Sequence, residues 1–292
     1  MIFSRPIKAQ PTEPETFKLP AVLSIAGSDS SGGAGIQADI KTIQSLGMFA
    51  ETAITAITAQ NTQGVTAVQN IDPEIVEAQI DAVFADIAPR AVKIGMVSSP
   101  EIVEAIANAL ARNNARNVVV DPVMVATSGS ALAEGGAVSA MRDRLFPLAT
   151  IITPNLQEAT VLAGFEIATA DDALRASQQI ASTCGAAVLI KGGHGLMGPD
   201  RTPDQVSEAA DDLLLDADGT PTWMYGQRID NPNTHGTGCT LSSAIASYLA
   251  VDYTLPRAVG AAKEYLTGAI KAQLNLGQGS GPLDHFWQYR QQ

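Results

Sequence analysis

The chemistry in this chain is concentrated in a short stretch, Thr234-His-Gly-Thr-Gly-Cys-Thr240, that runs into the helical spacing of Leu241, Ala244, Ile245 and Leu249. A glycine turn feeding a helix N-terminus leaves unpaired N–H groups at the positive end of the helix dipole, a natural place for an anion. Gly236 and Gly238 let the backbone approach that anion with no Cβ between them. Cys239 falls on the first turn, where a thiol's pKa tends to drop. An ordinary helix start with a buried cysteine fits the stretch equally well.

Other candidates sit at junctions. Lys191, at the end of an apolar run and followed by Gly192 and Gly193, has the reach to contact a phosphate, and packing rarely selects a lysine there. Glu158, in Asn155-Leu-Gln-Glu158, suits either water held on Mg²⁺ or the favourable first turn of a helix. Gln60 carries an amide that both donates and accepts, as reading a heterocycle edge requires; a plain loop polar group is the alternative. Asp39, one turn past Gly35, reads on its own as a solvated helix carboxylate.

Several chemistries are disfavoured. Gly33-Ala-Gly-Ile-Gln-Ala38 fits the dinucleotide fingerprint, but the acid at plausible spacing, Glu51, starts the second strand, whereas ribose binding needs one at its end. No P-loop and no protein-kinase signature set is present. His194 and His235 have no Ser or Asp arrangement with triad logic, and no metal-ligand spacing occurs. A lysine, an anion hole, a Mg²⁺-type carboxylate and a polar pocket together are what phosphoryl transfer from a nucleotide needs.

The elements that must position these groups alternate. Strands are expected over residues 22–26, 52–59, 91–95, 118–120, 151–152 and 187–190, most of them apolar on both faces. Helices are expected at about 34–46, after Asp72-Pro73, after Ser98 (with Glu101 at capping-box spacing), after Gly238 and at about 257–274. Ile75, Val76, Ile80, Val83, Phe84 and Ile87 are expected to form one apolar face, and residues 213–216 and 222–225 a β-hairpin. The pattern predicts an α/β fold with a mostly parallel sheet covered on both sides, its ligands beyond the carboxyl ends of the strands. The polar loops at 27–35, 60–61, 121, 153–155 and 191–193 would lie there.

The 292 residues, 46% hydrophobic, support a sizeable core. A net charge of −12 without a basic stripe argues against nucleic acid. No apolar run is long enough to span a bilayer, and two cysteines fit a reducing cytoplasm rather than a disulfide framework. Residues 1–20, with four prolines and mixed charges, read as a flexible leader before a single domain over 21–292.

The stretches Ala26 to Asp39, Ala59-Gln-Asn61, Lys93-Ile-Gly-Met96, Asp121-Pro-Val-Met124, Thr153 through Glu158, Lys191-Gly-Gly-His194 and His235 to Thr240 occur in one order. In that register the chain resembles the hydroxymethylpyrimidine/phosphomethylpyrimidine kinases of the ribokinase-like superfamily. The resemblance implies a three-layer α/β/α sandwich, usually a homodimer. It implies ATP- and Mg²⁺-dependent phosphorylation of 4-amino-5-hydroxymethyl-2-methylpyrimidine, then of its monophosphate, in thiamine biosynthesis. By the same resemblance Gln60 reads the pyrimidine, and Asp39, Gly27, Met96 and Val123 line its pocket. Lys191, Thr237 and Asn155 meet the nucleotide, Glu158 and Asp121 the metal. Gly236, Gly238 and Cys239 form the anion hole. Ribokinase has Asp where Cys239 stands, so the identity of the base stays open. Pyridoxal kinase, on the same fold, is the nearest rival; a ligand-binding protein on an inactive kinase scaffold and an oxidoreductase are more distant ones.

Overall fold

A computed structural model describes residues 19–124, 136–193 and 195–290. The leader expected over 1–20, apart from Leu19 and Pro20, and the His194 side chain lie outside these residues.

Among the described residues nine strands form one sheet: β1 (Ala21–Asp29), β2 (Phe49–Asn61), β3 (Gly64–Asn70), β4 (Ala91–Ile94), β5 (Val118–Val120), β6 (Ile151–Ile152), β7 (Ala187–Lys191), β8 (Asp212–Leu215) and β9 (Pro221–Met224). Their order is β3-β2-β1-β4-β5-β6-β7-β8-β9. The run from β2 to β7 is parallel; β3 closes one edge antiparallel and the β8–β9 hairpin the other.

Eight α-helices among the described residues cover the sheet: α1 (Gly35–Ser45), α2 (Pro73–Asp86), α3 (Pro100–Arg112), α4 (Ala137–Ala140), α5 (Leu156–Ala163), α6 (Ala170–Cys184), α7 (Thr237–Ala250) and α8 (Leu255–Lys271). Successive strand side chains point to opposite faces, so each central strand feeds two cores. Leu23, Ile25, Val118, Val120, Val188 and Ile190 pack under α2 to α6. Val22, Val119, Ala187 and Leu189 pack under α1, α7 and α8. The result is a three-layer α/β/α sandwich.

Four expectations need correction. The first strand continues to Asp29, with a register irregularity between Ala26 and Ser28, so Gly27 and Ser28 are strand residues at a kink. Strand β3 carried no sequence signal because most of its residues face water and its turn, Thr62-Gln63, lacks the Asn-Gly or Asp-Gly type. In α2 only Val76 and Ile80 are fully buried; Ile75 and Ile87 stay exposed, so the apolar stripe is wider than the face the helix covers. The cap of α3 is Ser99, whose hydroxyl accepts the Ile102 N–H ahead of Pro100; Ser98 instead donates to Asn70 Oδ1 at 2.7 Å.

Candidate active site

Strand β1 lies between β2 and β4, where the strand order reverses direction, and such a switch point opens a crevice at the carboxyl ends of the strands. A cavity of about 390 Å³ occupies it. Its walls come from the ends of β1, β2, β5 and β7 and from the start of α7.

The α7 start has the anticipated geometry. Gly236 precedes the helix at φ +85, and a Cβ there would lie 2.0 Å from the Gly33 carbonyl oxygen, so only glycine permits the turn. A Cβ on Gly238 would point at Asp121 Oδ2 (3.2 Å) and Lys191 Nζ (3.4 Å). The N–H groups of Gly238 and Cys239 have no backbone carbonyl partner among the described residues. Unpaired helix-start donors facing a lysine across a gap that glycine leaves open have the donor set and charge to receive an anion, and form a candidate anion hole. The Cys239 thiol departs from expectation. Burial pushes it up to about 11; Lys93 pulls it down, Asp39 and Asp121 add to the rise, and the Gly35 N–H does not offset them. Desolvation outweighs the helix dipole.

Facing the hole, Lys191 Nζ pairs with Asp121 Oδ1 at 2.7 Å, and Thr153 donates to the same oxygen at 3.1 Å. Burial opposes the Lys191 charge, but Asp121 and Glu158 override it and hold the ammonium above the usual lysine range. Glu158 and Asn155 form a capping box on α5: Asn155 Oδ1 accepts the Glu158 N–H at 2.9 Å, and Glu158 Oε2 accepts the Asn155 N–H at 2.8 Å. Glu158 therefore has its structural role and still lines the cavity beside Asp121. Burial raises its pKa, Lys191 pulls it down and Asp121 adds to the rise.

Gln60 ends β2. Ser30 clamps its backbone, donating to its carbonyl at 2.7 Å and accepting its N–H at 2.8 Å. The side-chain Nε2 lies 3.3 Å from His235 Nε2. Met96 backs the same wall, its methyl lying over Gly27, where a Cβ would come within 2.7 Å of it. Val123, Gln60, Met96, Gly27 and Thr237 all line the cavity.

The sequence model of the phosphomethylpyrimidine kinase family matches residues 29–284. The chain belongs to the phosphomethylpyrimidine kinase family. It is 53% identical over 268 residues to the hydroxymethylpyrimidine/phosphomethylpyrimidine kinase of Rhizobium meliloti, covering 90% of this chain and 96% of that one. Among solved structures it resembles phosphomethylpyrimidine kinase from Clostridium difficile, with a TM-score of 0.73, 46% identity and coverage of 86% of this chain and 99% of that one. It also resembles pyridoxal kinase from Bacillus subtilis, solved as an ADP complex, with a TM-score of 0.83, 39% identity and coverage of 93% and 99%. The fold is ribokinase-like and the chain is a phosphotransferase.

In this member of the phosphomethylpyrimidine kinases two side chains have partners that the sequence did not indicate, and one of them, Asp39, departs from its expected place. Asp39 is shut off from water and does not line the cavity. It accepts Lys93 Nζ on both oxygens, and Ser24 and Ser243 bond to it at 2.6 and 2.7 Å. Helix α1 turns this residue toward the sheet and away from substrate and solvent alike. His235 has an acid partner that the sequence did not indicate: its Nε2 lies 2.8 Å from Asp29 Oδ2, a pair without the nucleophile that triad logic needs. Asp29, Lys93 and His235 carried signal only as members of motifs, because their partners are distant in the chain. Among the described residues no group of three or more His, Cys, Asp or Glu side chains is arranged to hold a metal.

Proposed function

We propose that this one cavity carries out two ATP-dependent phosphorylations, first of 4-amino-5-hydroxymethyl-2-methylpyrimidine and then of its monophosphate, in thiamine biosynthesis. The observation that carries the reading is the gap at Gly238, with helix-start N–H groups on one side and Lys191 and Asp121 on the other. Only two residues separate it from His235, which touches Gln60. One heptapeptide thus joins a phosphate-sized anion site to an amide suited to a heterocycle.

In this reading Gln60 reads the ring, with Gly27, Met96 and Val123 shaping its pocket. Lys191, Thr237 and Asn155 meet the nucleotide phosphates. Gly236, Gly238 and Cys239 hold the transferring group. Asp121 and Glu158 suit Mg²⁺, which takes one or two carboxylates and fills its other positions with water and phosphate oxygens, so the lack of a larger protein ligand set is compatible with it. When bound, the ion supplies charge neutralisation on the phosphate oxygens.

The thiol, pushed up to about 11, stays protonated near neutrality and is a poor resting base. In a loose transition state the alcohol loses its proton late, and in the second reaction the nucleophile is already an anion. Cys239 therefore serves the anion hole. Lys191 neutralises charge, and Asp121 aims its ammonium through their ion pair.

Pyridoxal kinase activity is the second reading, favoured by the high backbone similarity to a pyridoxal kinase. An assay of ADP release with the pyrimidine alcohol, its monophosphate and pyridoxal separates the two. Release with both pyrimidines is expected; no release with either, under conditions where they bind, overturns the proposal. Gln60→Leu should weaken pyrimidine use roughly ten- to a hundredfold, from unpaired polar groups, with the ATP KM little changed. A single kinase domain over 21–292 and a cytoplasmic homodimer go with the same reading, and sedimentation of the purified chain tests the dimer.

A further inference from the structure

Asp29 and His235 come from opposite ends of the chain and meet on the cavity wall. Asp29 accepts from the Ser31 N–H and hydroxyl, from the Gly33 and Ala34 N–H groups, and lies 2.8 Å from His235 Nε2. A carboxylate surrounded by four other donors is an acceptor and ionised; burial opposes this, but the His235 and Ser31 bonds and the backbone N–H of Ala34 hold its pKa at about 2. The imidazole atom facing it must therefore carry a proton, whatever the charge of the ring.

That proton constrains Gln60. With Gln60 Nε2 turned toward His235 Nε2 at 3.3 Å, two donors face each other. At the other end of the amide, Thr58 Oγ1 lies 3.2 Å from Gln60 Oε1. Thr58 already spends its one hydrogen on the Ser28 carbonyl at 2.8 Å, so there two acceptors face each other. Oxygen and nitrogen of an amide have nearly the same shape, and the neighbouring donors decide between them. Rotating the carboxamide by half a turn removes both conflicts: Gln60 Oε1 then lies beside the His235 Nε2–H, as the longer branch of the bond that proton makes to Asp29, and Gln60 Nε2–H reaches Thr58.

We infer that the Asp29–His235 pair, with Thr58, is a polarity lock on Gln60 and thereby a determinant of ring specificity. The inference rests on the pyrimidine reading of the site. The locked amide has one N–H and one oxygen lone pair left, in fixed order. The complementary edge is a ring nitrogen acceptor beside an exocyclic amino donor, as a 4-aminopyrimidine presents. A 4-oxo ring presents the reverse order, N–H beside C=O, and would have to turn the amide against both neighbours. His235 acts here as a positioning residue.

The test uses the full-length protein and two probes, 4-amino-5-hydroxymethyl-2-methylpyrimidine and its 4-oxo analogue. Wild-type protein should bind the amino ring roughly ten- to a hundredfold tighter than the oxo ring, the usual effect of an unpaired buried polar group. His235→Leu frees the amide to serve either ring, so the ratio should collapse to within a few-fold while nucleotide binding persists. His235→Gln restores a side-chain N–H and should restore much of the ratio. An unchanged ratio in His235→Leu, or equal losses for both rings and the nucleotide, overturns the lock. Should the Leu variant fail to fold, NMR of ligand-free wild-type protein decides. Expected are a protonated His235 Nε2 and Gln60 carboxamide protons in contact with Thr58; a bare Nε2, or carboxamide protons against the imidazole, overturns it. Failure of wild-type protein to bind either ring with these NMR signatures present counts against the pyrimidine reading and leaves the lock supported.

Discussion

Lys93 donates to both oxygens of Asp39, at 2.9 and 2.7 Å, and both side chains are completely shut off from water. The pair joins β4 to α1, and Ser243 ties α7 to the same carboxylate at 2.7 Å. The helix that carries the candidate anion hole is thus fastened to the sheet by a buried charge. Burial opposes the ammonium charge; the Asp39 carboxylate reverses that and holds Lys93 above the usual lysine range.

Removing one partner leaves the other charge uncompensated in a dry interior. Lys93→Met should lower unfolding free energy by about 3–5 kcal/mol, whereas Lys93→Met combined with Asp39→Leu should recover much of the loss. Denaturant unfolding of both variants measures this. A single variant as stable as wild type would show that the pair contributes little.

Gly238→Ala places a methyl group between the helix start and the Asp121–Lys191 pair, 3.2 and 3.4 Å from their polar atoms. Turnover should fall about 10²–10³-fold, the scale of losing one oxyanion donor. Stability should hold or rise slightly, since alanine favours the helix. Steady-state kinetics beside a melting curve separates these effects.

Cys239→Ser keeps the helix-start N–H groups and removes the thiol, whose pKa is already near 11. Phosphorylation of the alcohol and of the monophosphate should fall by similar, modest factors. A loss confined to the alcohol, on the order of 10²-fold or more, would instead identify the cysteine as the base.

Glu51 is buried at the start of β2 with Oε2 unpartnered, and burial, helped by Asp86, raises its pKa from 4.5 to about 7. The folded protein keeps a proton there that the unfolded chain has released, so this group's contribution to stability is lost as pH rises from about 4.5 to about 7. The change is on the order of 2–3 kcal/mol. Glu51→Gln should flatten that part of the stability profile and be the more stable protein at pH 8. Parallel profiles for the two proteins would contradict it.

Much of the site was legible because its signals are local. The glycine turn before α7, the Asn155–Glu158 cap and the lysine ending β7 each depend on residues within a few positions, where backbone sterics and helix-end hydrogen bonding act. The alternation of apolar strands and helices fixed the parallel sheet, and the parallel sheet fixed the edge at which ligands enter. The motif series named the family from the same residues. What the chain order could not supply is who faces whom. Asp39 meets Lys93 across 54 residues, and His235 meets Asp29 across 206. Only the packed sandwich decides that Asp39 faces the core and away from substrate, that the first-turn thiol is raised rather than lowered, and which way Gln60 presents its amide. Burial and long-range partners set those outcomes, and both exist only once the layers have closed.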